Sequence, residues 1–253
     1  MCATCGCGAD GTAITPAGHA QPHEHPHGDP HHDVRTETIT LEQKVLAKND
    51  LIADENRRWL AERDILALNM TSSPGAGKTT LLERTIADLG GQRPIAVIEG
   101  DQETLLDANR IRAAGARAVQ INTGAGCHLD AEMVRRALET LDPQPGSLLF
   151  IENVGNLVCP AMFDLGEHCK VVVISVTEGA DKPLKYPHMF AAAGLVVINK
   201  TDLLPYVDFD IDAFAGHARS LNAGVQILPI SATRGDGLPD WCRWLTSCSP
   251  ARS

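Results

Sequence analysis

The run Ser72-Ser73-Pro74-Gly75-Ala76-Gly77-Lys78-Thr79-Thr80 has the residue types needed to cradle a chain of phosphates. Its template is G-x-x-x-x-G-K-[ST], with Ser72 in place of the first glycine and Gly77-Lys78-Thr79 intact. Glycine at 75 and 77 lets the backbone curl, so that N–H groups from Gly75 through Thr80 point at the β- and γ-phosphates. Lys78 adds a point charge, and the Thr79 hydroxyl can ligate Mg2+. A Gly/Pro-rich turn is the plain alternative, but apolar run, loop, Gly-Lys-Thr and helix follow one another in the order a triphosphate site requires.

Two later segments address the base. Asn199-Lys200-Thr201-Asp202 closes one apolar run and Ser231-Ala232 follows the next. The Asp202 carboxylate can accept from guanine N1–H and its 2-amino group, which adenine lacks. Asn199 can reach the other guanine edge, the Lys200 stem can cover the ring, and the Ala232 N–H can donate to O6. GTP is therefore the expected nucleotide. Acids complete the phosphate end: Glu99 and Asp101 after one apolar run, and Glu152 with Gly155 after another. Glu99, Asp101 and Thr79 are the expected Mg2+ ligands, Glu152 acting through water, and Gly155 can sense the γ-phosphate. Lys78, Thr79, Asp101 and Glu152 are the groups expected to act on the reacting phosphates. Asn156 stands where some GTPases orient water with Gln, which predicts slow hydrolysis.

Thiols and imidazoles form a second chemistry. Three of the eight cysteines, Cys2, Cys5 and Cys7, sit at the start of the chain, where soft thiolates suit zinc, copper(I) or nickel. Six of the ten histidines (His19, His23, His25, His27, His31 and His32) lie on a Pro/Gly-interrupted tract, a weak multivalent nickel store. Cys127-His128 and Cys159 leave the same sheet edge as the phosphate loop, so they form a candidate nickel or zinc site coupled to nucleotide state. Cys169, Cys242 and Cys248 read as core, and His168, His188 and His217 receive no role.

The elements that must position these groups follow from patterning. Continuous apolar runs at 65–71, 95–99, 118–121, 148–152, 171–176, 195–199 and 225–230 alternate with helical stretches, for instance 79–89, 102–114 and 130–141. That predicts an α/β fold whose mostly parallel sheet is covered on both faces. Residues 1–35 are too poor in large apolar side chains to fold and form a disordered Cys/His-rich arm; 36–253 form the nucleotide domain. The domain opens with an amphipathic helix whose stripe is Leu41, Val45, Leu46, Leu51, Ile52, Trp59 and Leu60.

A formal charge of −10 argues against a nucleic-acid or anionic-membrane partner. No apolar run reaches the ~20 residues of a membrane span. A secretory leader is missing from the first thirty residues, so a cytoplasmic location with reduced thiols is expected.

Taken together, the motifs resemble the HypB family of hydrogenase nickel-incorporation GTPases. The resemblance rests on Cys2-x-x-Cys5-x-Cys7, the His-rich arm, 72–79, 99–101, 126–129, 152–160 and 199–202. It implies a P-loop GTPase of the SIMIBI class, GTP-promoted homodimers, a zinc-containing HypA-type partner, and nickel delivery to the large subunit of [NiFe]-hydrogenase. By resemblance, Cys2, Cys5 and Cys7 form a high-affinity nickel site. Cys127, His128 and Cys159 form a weaker nickel or zinc site near the dimer interface. Lys182 or Lys185 is a candidate to reach phosphates across that dimer. The nearest alternative, a urease accessory GTPase, lacks the three-cysteine start. A nickel storage protein with a vestigial nucleotide site would not need Lys78, Thr79 and Asp202 intact, and a redox thiol protein is a third reading.

Overall fold

A computed structural model describes residues 33–101 and 106–248, with side chains from residue 43 onward. The candidate ligands Cys2, Cys5, Cys7, His19, His23, His25, His27, His31 and His32 lie outside the described residues, as do residues 102–105 at the start of the helix expected over 102–114. Contacts group the chain into Met1–Lys48 and Asn49–Ser253, and the description below concerns the second unit.

Seven strands form one sheet: β1 (Leu66–Ser72), β2 (Ile95–Asp101), β3 (Arg117–Asn122), β4 (Leu148–Glu152), β5 (Cys169–Ser175), β6 (Ala193–Asn199) and β7 (Gln226–Pro229). Their order is β3-β2-β4-β1-β5-β6-β7, and every pairing is parallel. Parallel strands need crossovers, and these are supplied by α2 (Lys78–Leu89), α3 (Leu106–Ala113), α4 (Ala131–Leu141), the short α5 (Cys159–Met162), α6 (Lys182–Lys185) and α7 (Pro187–Ala192), then α8 (Ile211–Leu221). A final helix, α9 (Leu238–Ser247), follows β7. Because helices cover both faces, β1 is buried at every position, and its residues do not alternate between buried and exposed. The expected strands and the helices over 79–89 and 130–141 are all present, within a few residues of the expected bounds.

The first helix, α1 (Asp33–Glu62), differs from expectation in the face it buries. From Asn49 on, the buried positions are Asn49, Ala53, Asn56 and Leu60. Leu51, assigned to the apolar stripe, is 69% exposed. The reason is close backbone approach. Gly166 (φ +88°) lies against the helix, where a Cβ would come 2.5 Å from the Ala53 carbonyl oxygen. Small and amide side chains fit such a contact, and a leucine row would not. Among the described residues, no helix is long and apolar enough to cross a membrane.

The core on one face joins α2 and α9 to the sheet. The buried Trp241 of α9 donates its indole N–H to Thr85 Oγ1 of α2 at 2.8 Å, and that hydroxyl donates to the Leu81 carbonyl. Thr85→Val preserves shape but leaves the indole N–H unpaired, so we expect a loss of about 1–3 kcal/mol in urea unfolding of the nucleotide-free protein. An unchanged unfolding midpoint would show that the bond contributes nothing.

Candidate functional site

The C-terminal edge of a parallel sheet is where loops leave toward ligands. There the chain surrounds a cavity of about 530 Å3. The phosphate loop leaves β1 with Gly75 at φ +74° and Gly77 at φ +97°, conformations open to glycine at no steric cost. Gly77 is restricted twice over, since a Cβ there would meet Asn199 Nδ2 at 2.5 Å. Lys78 Nζ donates to Ser72 Oγ at 2.6 Å, which gives the serine in the first glycine's position a task. Burial pulls the Lys78 ammonium down from its ordinary pKa, opposed by the charges of Glu152 and Glu99.

The acids converge as expected. Glu99 and Glu152 are neighbours in the β2–β4 register, and Thr79 Oγ1 donates to Glu152 Oε1 at 2.9 Å. Burial raises both carboxyls, and the neighbouring charges of Glu152, Asp107 and Asp101 push Glu99 further, to about 8. Glu99 Oε2 and Glu152 Oε2 are buried without a hydrogen-bond partner. Two orphaned carboxylate oxygens beside a threonine hydroxyl and Asp101 form an all-oxygen donor set, which fits a hard cation such as Mg2+. Asp107 and Arg110 also line the cavity, and nothing in the sequence pattern had singled them out.

On the base side two of the expected groups also have partners within the chain. Asn199 ties the phosphate loop to the base-side loops, using one of its two amide hydrogens. Its Nδ2 donates to the Ala76 carbonyl at 2.9 Å, while its Oδ1 accepts from Lys200 N and from Ala232 N at 2.8 and 3.1 Å. The Ala232 N–H expected to meet O6 is thus already engaged. Lys200 sits in the left-handed region at φ +63°, a strained position held by that amide, and its Nζ donates to the Gly75 carbonyl at 2.7 Å. Asp202 Oδ1 accepts from Ser231 Oγ at 2.6 Å, which orients the carboxylate. Lys182 Nζ lies 3.0 Å from Ser73 Oγ of its own chain and 3.0 Å from Glu178 Oε2, and the exposed Lys185 pairs with Asp181 at 2.7 Å.

The thiol and imidazole groups also meet. Candidate ligand atoms of Cys127, His128 and Cys159 all lie within 4.8 Å of one another, and the two sulfurs stand 2.9 Å apart without a disulfide between them. His128 stacks on Phe163 with centroids 4.0 Å apart. Burial lowers its pKa, favouring the neutral imidazole that binds metals. Soft sulfur with nitrogen suits nickel or zinc rather than a hard ion. Cys169, Cys242 and Cys248 pack against the apolar core, as expected.

One segment spans both sites. Glu152 ends β4 beside Thr79, and a Cβ on Gly155 would stand 3.2 Å from Pro74 of the phosphate loop. Asn156 Nδ2 then donates to the Cys127 carbonyl at 3.2 Å, and Cys159 reaches the Cys127 sulfur.

Residues 66–229 match the model of the "CobW/HypB/UreG, nucleotide-binding domain" family. The hydrogenase maturation factor HypB of Azotobacter chroococcum mcd 1 is 57% identical over 214 residues, covering 85% of this chain and 70% of that protein. HypB of Escherichia coli (strain K12) is 56% identical over 207 residues, covering 82% and 71%. The chain belongs to the HypB family. Two solved HypB structures agree in fold. That from Archaeoglobus fulgidus has a TM-score of 0.74 at 40% identity, covering 79% of this chain and 98% of that one. That from Helicobacter pylori, in complex with nickel, has a TM-score of 0.75 at 39% identity, covering 79% and 94%. The parallel sheet and phosphate cradle are thus those of a P-loop GTPase fold in its HypB form.

Sequence patterning missed the buried amides of this HypB site. Asn69, in the middle of β1, and Asn153, after Glu152, bond to each other at 3.3 Å, and Asn153 Oδ1 accepts from Leu129 N at 3.2 Å. An asparagine flanked by Leu68 and Met70 in a strand buried at every position was the available signal.

The raised Glu99 carboxyl has a consequence for stability. The folded chain holds a proton there between about 4.5, the ordinary glutamate value, and about 8, so stability falls as pH rises through that window. We expect Glu99→Gln to unfold several degrees above the parent at pH 8 in chelator-treated, nucleotide-free buffer, with the two converging near pH 4.5. A pH-independent difference would overturn the placement of that proton.

Proposed function

We propose that this chain is a GTP-hydrolysing nickel metallochaperone that loads the large subunit of [NiFe]-hydrogenase, with nucleotide state controlling the metal. The observation that carries this reading is the segment from Glu152 to Cys159. Its first residue accepts the Thr79 hydroxyl, and its last meets Cys127. A shift that accommodates the γ-phosphate at Gly155 is therefore passed to a metal ligand within the same short stretch of backbone.

The phosphate end works by positioning. Backbone N–H groups of the loop and Lys78 hold the phosphates, and Thr79, Glu99, Asp101 and Glu152 hold Mg2+, which supplies charge neutralisation at the β- and γ-oxygens. Deprotonation of Glu99 accompanies that binding. Turnover is slow, because the Asn156 amide is tied to the Cys127 carbonyl and to Val158 N instead of orienting water. Guanine is selected by Asp202, braced by Ser231.

The internal triad holds nickel as cargo, or zinc. Exposed Val158 and Met162 flank Cys159, an apolar rim that supports a GTP-promoted homodimer near the triad. Cys2, Cys5 and Cys7 form a separate tight nickel site, the histidine arm is a store, and a HypA-type protein is the partner in delivery. The chemistry is cytoplasmic. Relatives that carry the name of hydrogenase maturation factor at 56–58% identity support the hydrogenase target over urease.

Two measurements test the reading. Asp202→Asn is expected to turn preference from GTP toward xanthosine triphosphate, by tenfold or more, since an amide donates where the carboxylate accepted. Undiminished GTP affinity in that variant rejects the base assignment. Nickel titration of the full chain, loaded with GDP or with a non-hydrolysable GTP analogue, is expected to give different affinities at the site lost in Cys127→Ser. Equal affinities in the two states reject nucleotide control.

A further inference from the structure

The metal triad is assembled from two separate backbone segments. One is the loop carrying Cys127 and His128, which runs into the first turn of α4. The other is α5 with Cys159, which runs on through Phe163 to Leu165. Neither segment contains all three ligands, so the site exists only while the two are held at a fixed separation.

Two side chains on α1 do the holding, and each grips both segments. Asn49 Oδ1 accepts from the Ala131 N–H at 2.9 Å, and its Nδ2 donates to the Asp164 carbonyl at 2.8 Å. Asn56 Nδ2 donates to the Ala131 carbonyl at 2.8 Å and to the Leu165 carbonyl at 3.0 Å, one bond per amide hydrogen. Both asparagines are buried, at 6% and 2% exposure, so water cannot substitute for either partner without the helix moving. Ala131 is just beyond His128, and Asp164 and Leu165 are just beyond the ring on which His128 stacks. Asn153 steadies the same loop at Leu129 N from the opposite side.

We propose that Asn49 and Asn56 are positioning residues for the Cys127–His128–Cys159 site, clamping its two halves together and so setting its affinity for a soft divalent cation. Helix α1 is then a second control on the metal, separate from the nucleotide: a partner that pulls α1 away loosens the triad without touching the phosphate loop. This rests on the metal reading of the triad. Removing groups that orient metal ligands typically costs ten- to a hundredfold in affinity.

The test uses the full chain with Cys2, Cys5 and Cys7 replaced by serine, titrated with cobalt(II) alone and read by the thiolate-to-cobalt charge-transfer band. Cys127→Ser supplies the blank. We expect Asn49→Ala and Asn56→Ala each to weaken the band-forming site about 10–100-fold with GDP affinity unchanged. Asn222→Ala is the control for an amide lost elsewhere, its Nδ2 bonding Ala193 O at 2.8 Å; it should leave cobalt affinity within twofold. A metal-free measurement runs beside it. Oxidised dithiothreitol converts Cys127 and Cys159 to a disulfide while being reduced to its dithiol, and this step should slow in the alanine variants. Unchanged cobalt affinity and oxidation rate in either folded alanine variant overturn the proposal, as does an equal loss in Asn222→Ala. A parent band no larger than the Cys127→Ser blank sinks the metal reading instead, and the oxidation rate still decides the clamp.

Discussion

Burying two carboxylates side by side at the end of an apolar sheet is costly, and Glu99 and Glu152 are register neighbours with one oxygen each left unpaired. Lys78 and the Thr79 hydroxyl offset part of that cost, and a proton held on Glu99 up to about pH 8 offsets more. On the proposed reading, a cation and a phosphate chain complete the arrangement. The sheet order serves the same end. With β4 between β2 and β1, Glu152 stands next to the strand that launches the phosphate loop, and Glu99 stands beside Glu152 one strand further out.

Around that acidic centre the joints are amides. Asn199 ties the phosphate loop to the base-side loops, Asn156 ties the β4 exit to the Cys127 loop, and Asn49 and Asn56 tie that loop to the segment beyond Cys159. A carboxamide suits this work because it donates and accepts at once and carries no charge to desolvate. Apolar packing resists compression from any direction, whereas a hydrogen bond fixes a particular pair of atoms. A site that must move by a small amount and return needs the second kind of constraint.

Legibility in the sequence divides along the same line. The phosphate loop, the acids at strand ends and the meeting of Cys127, His128 and Cys159 were readable, because residue type and position at a strand's C-terminus are local features of the sequence. The strands were readable because burial on both faces leaves unbroken apolar runs. The buried face of α1 was not. Its contact is with backbone at Gly166 and with carbonyls at 164 and 165, so the informative residues were amides and alanine rather than the leucines the periodicity favoured. The internal bonds of Asn199 and Ala232 were not legible for a related reason. Each carries an ordinary hydrogen-bonding group whose partner is another loop, and partners far apart in sequence leave no local pattern.

A segment that contacts both a nucleotide edge and a thiol triad makes their coupling mutual. Whatever free energy the γ-phosphate places on Cys159 through Gly155 and Asn156, a metal drawing Cys127 and Cys159 together must return to the nucleotide in equal amount. Under the proposed nucleotide control, a metal-loaded chain would differ from an empty one in its preference between di- and triphosphate, and a partner that removes the metal would reset that preference. Helix α1 enters the cycle on different terms. Its bonds go to the metal-bearing segments and not to the phosphate loop, so displacement of α1 would change metal affinity while leaving the purine and phosphate contacts in place. If both proposed inputs act on the triad, their different bonds would let release require both, and a bound cation would then not escape on nucleotide turnover alone.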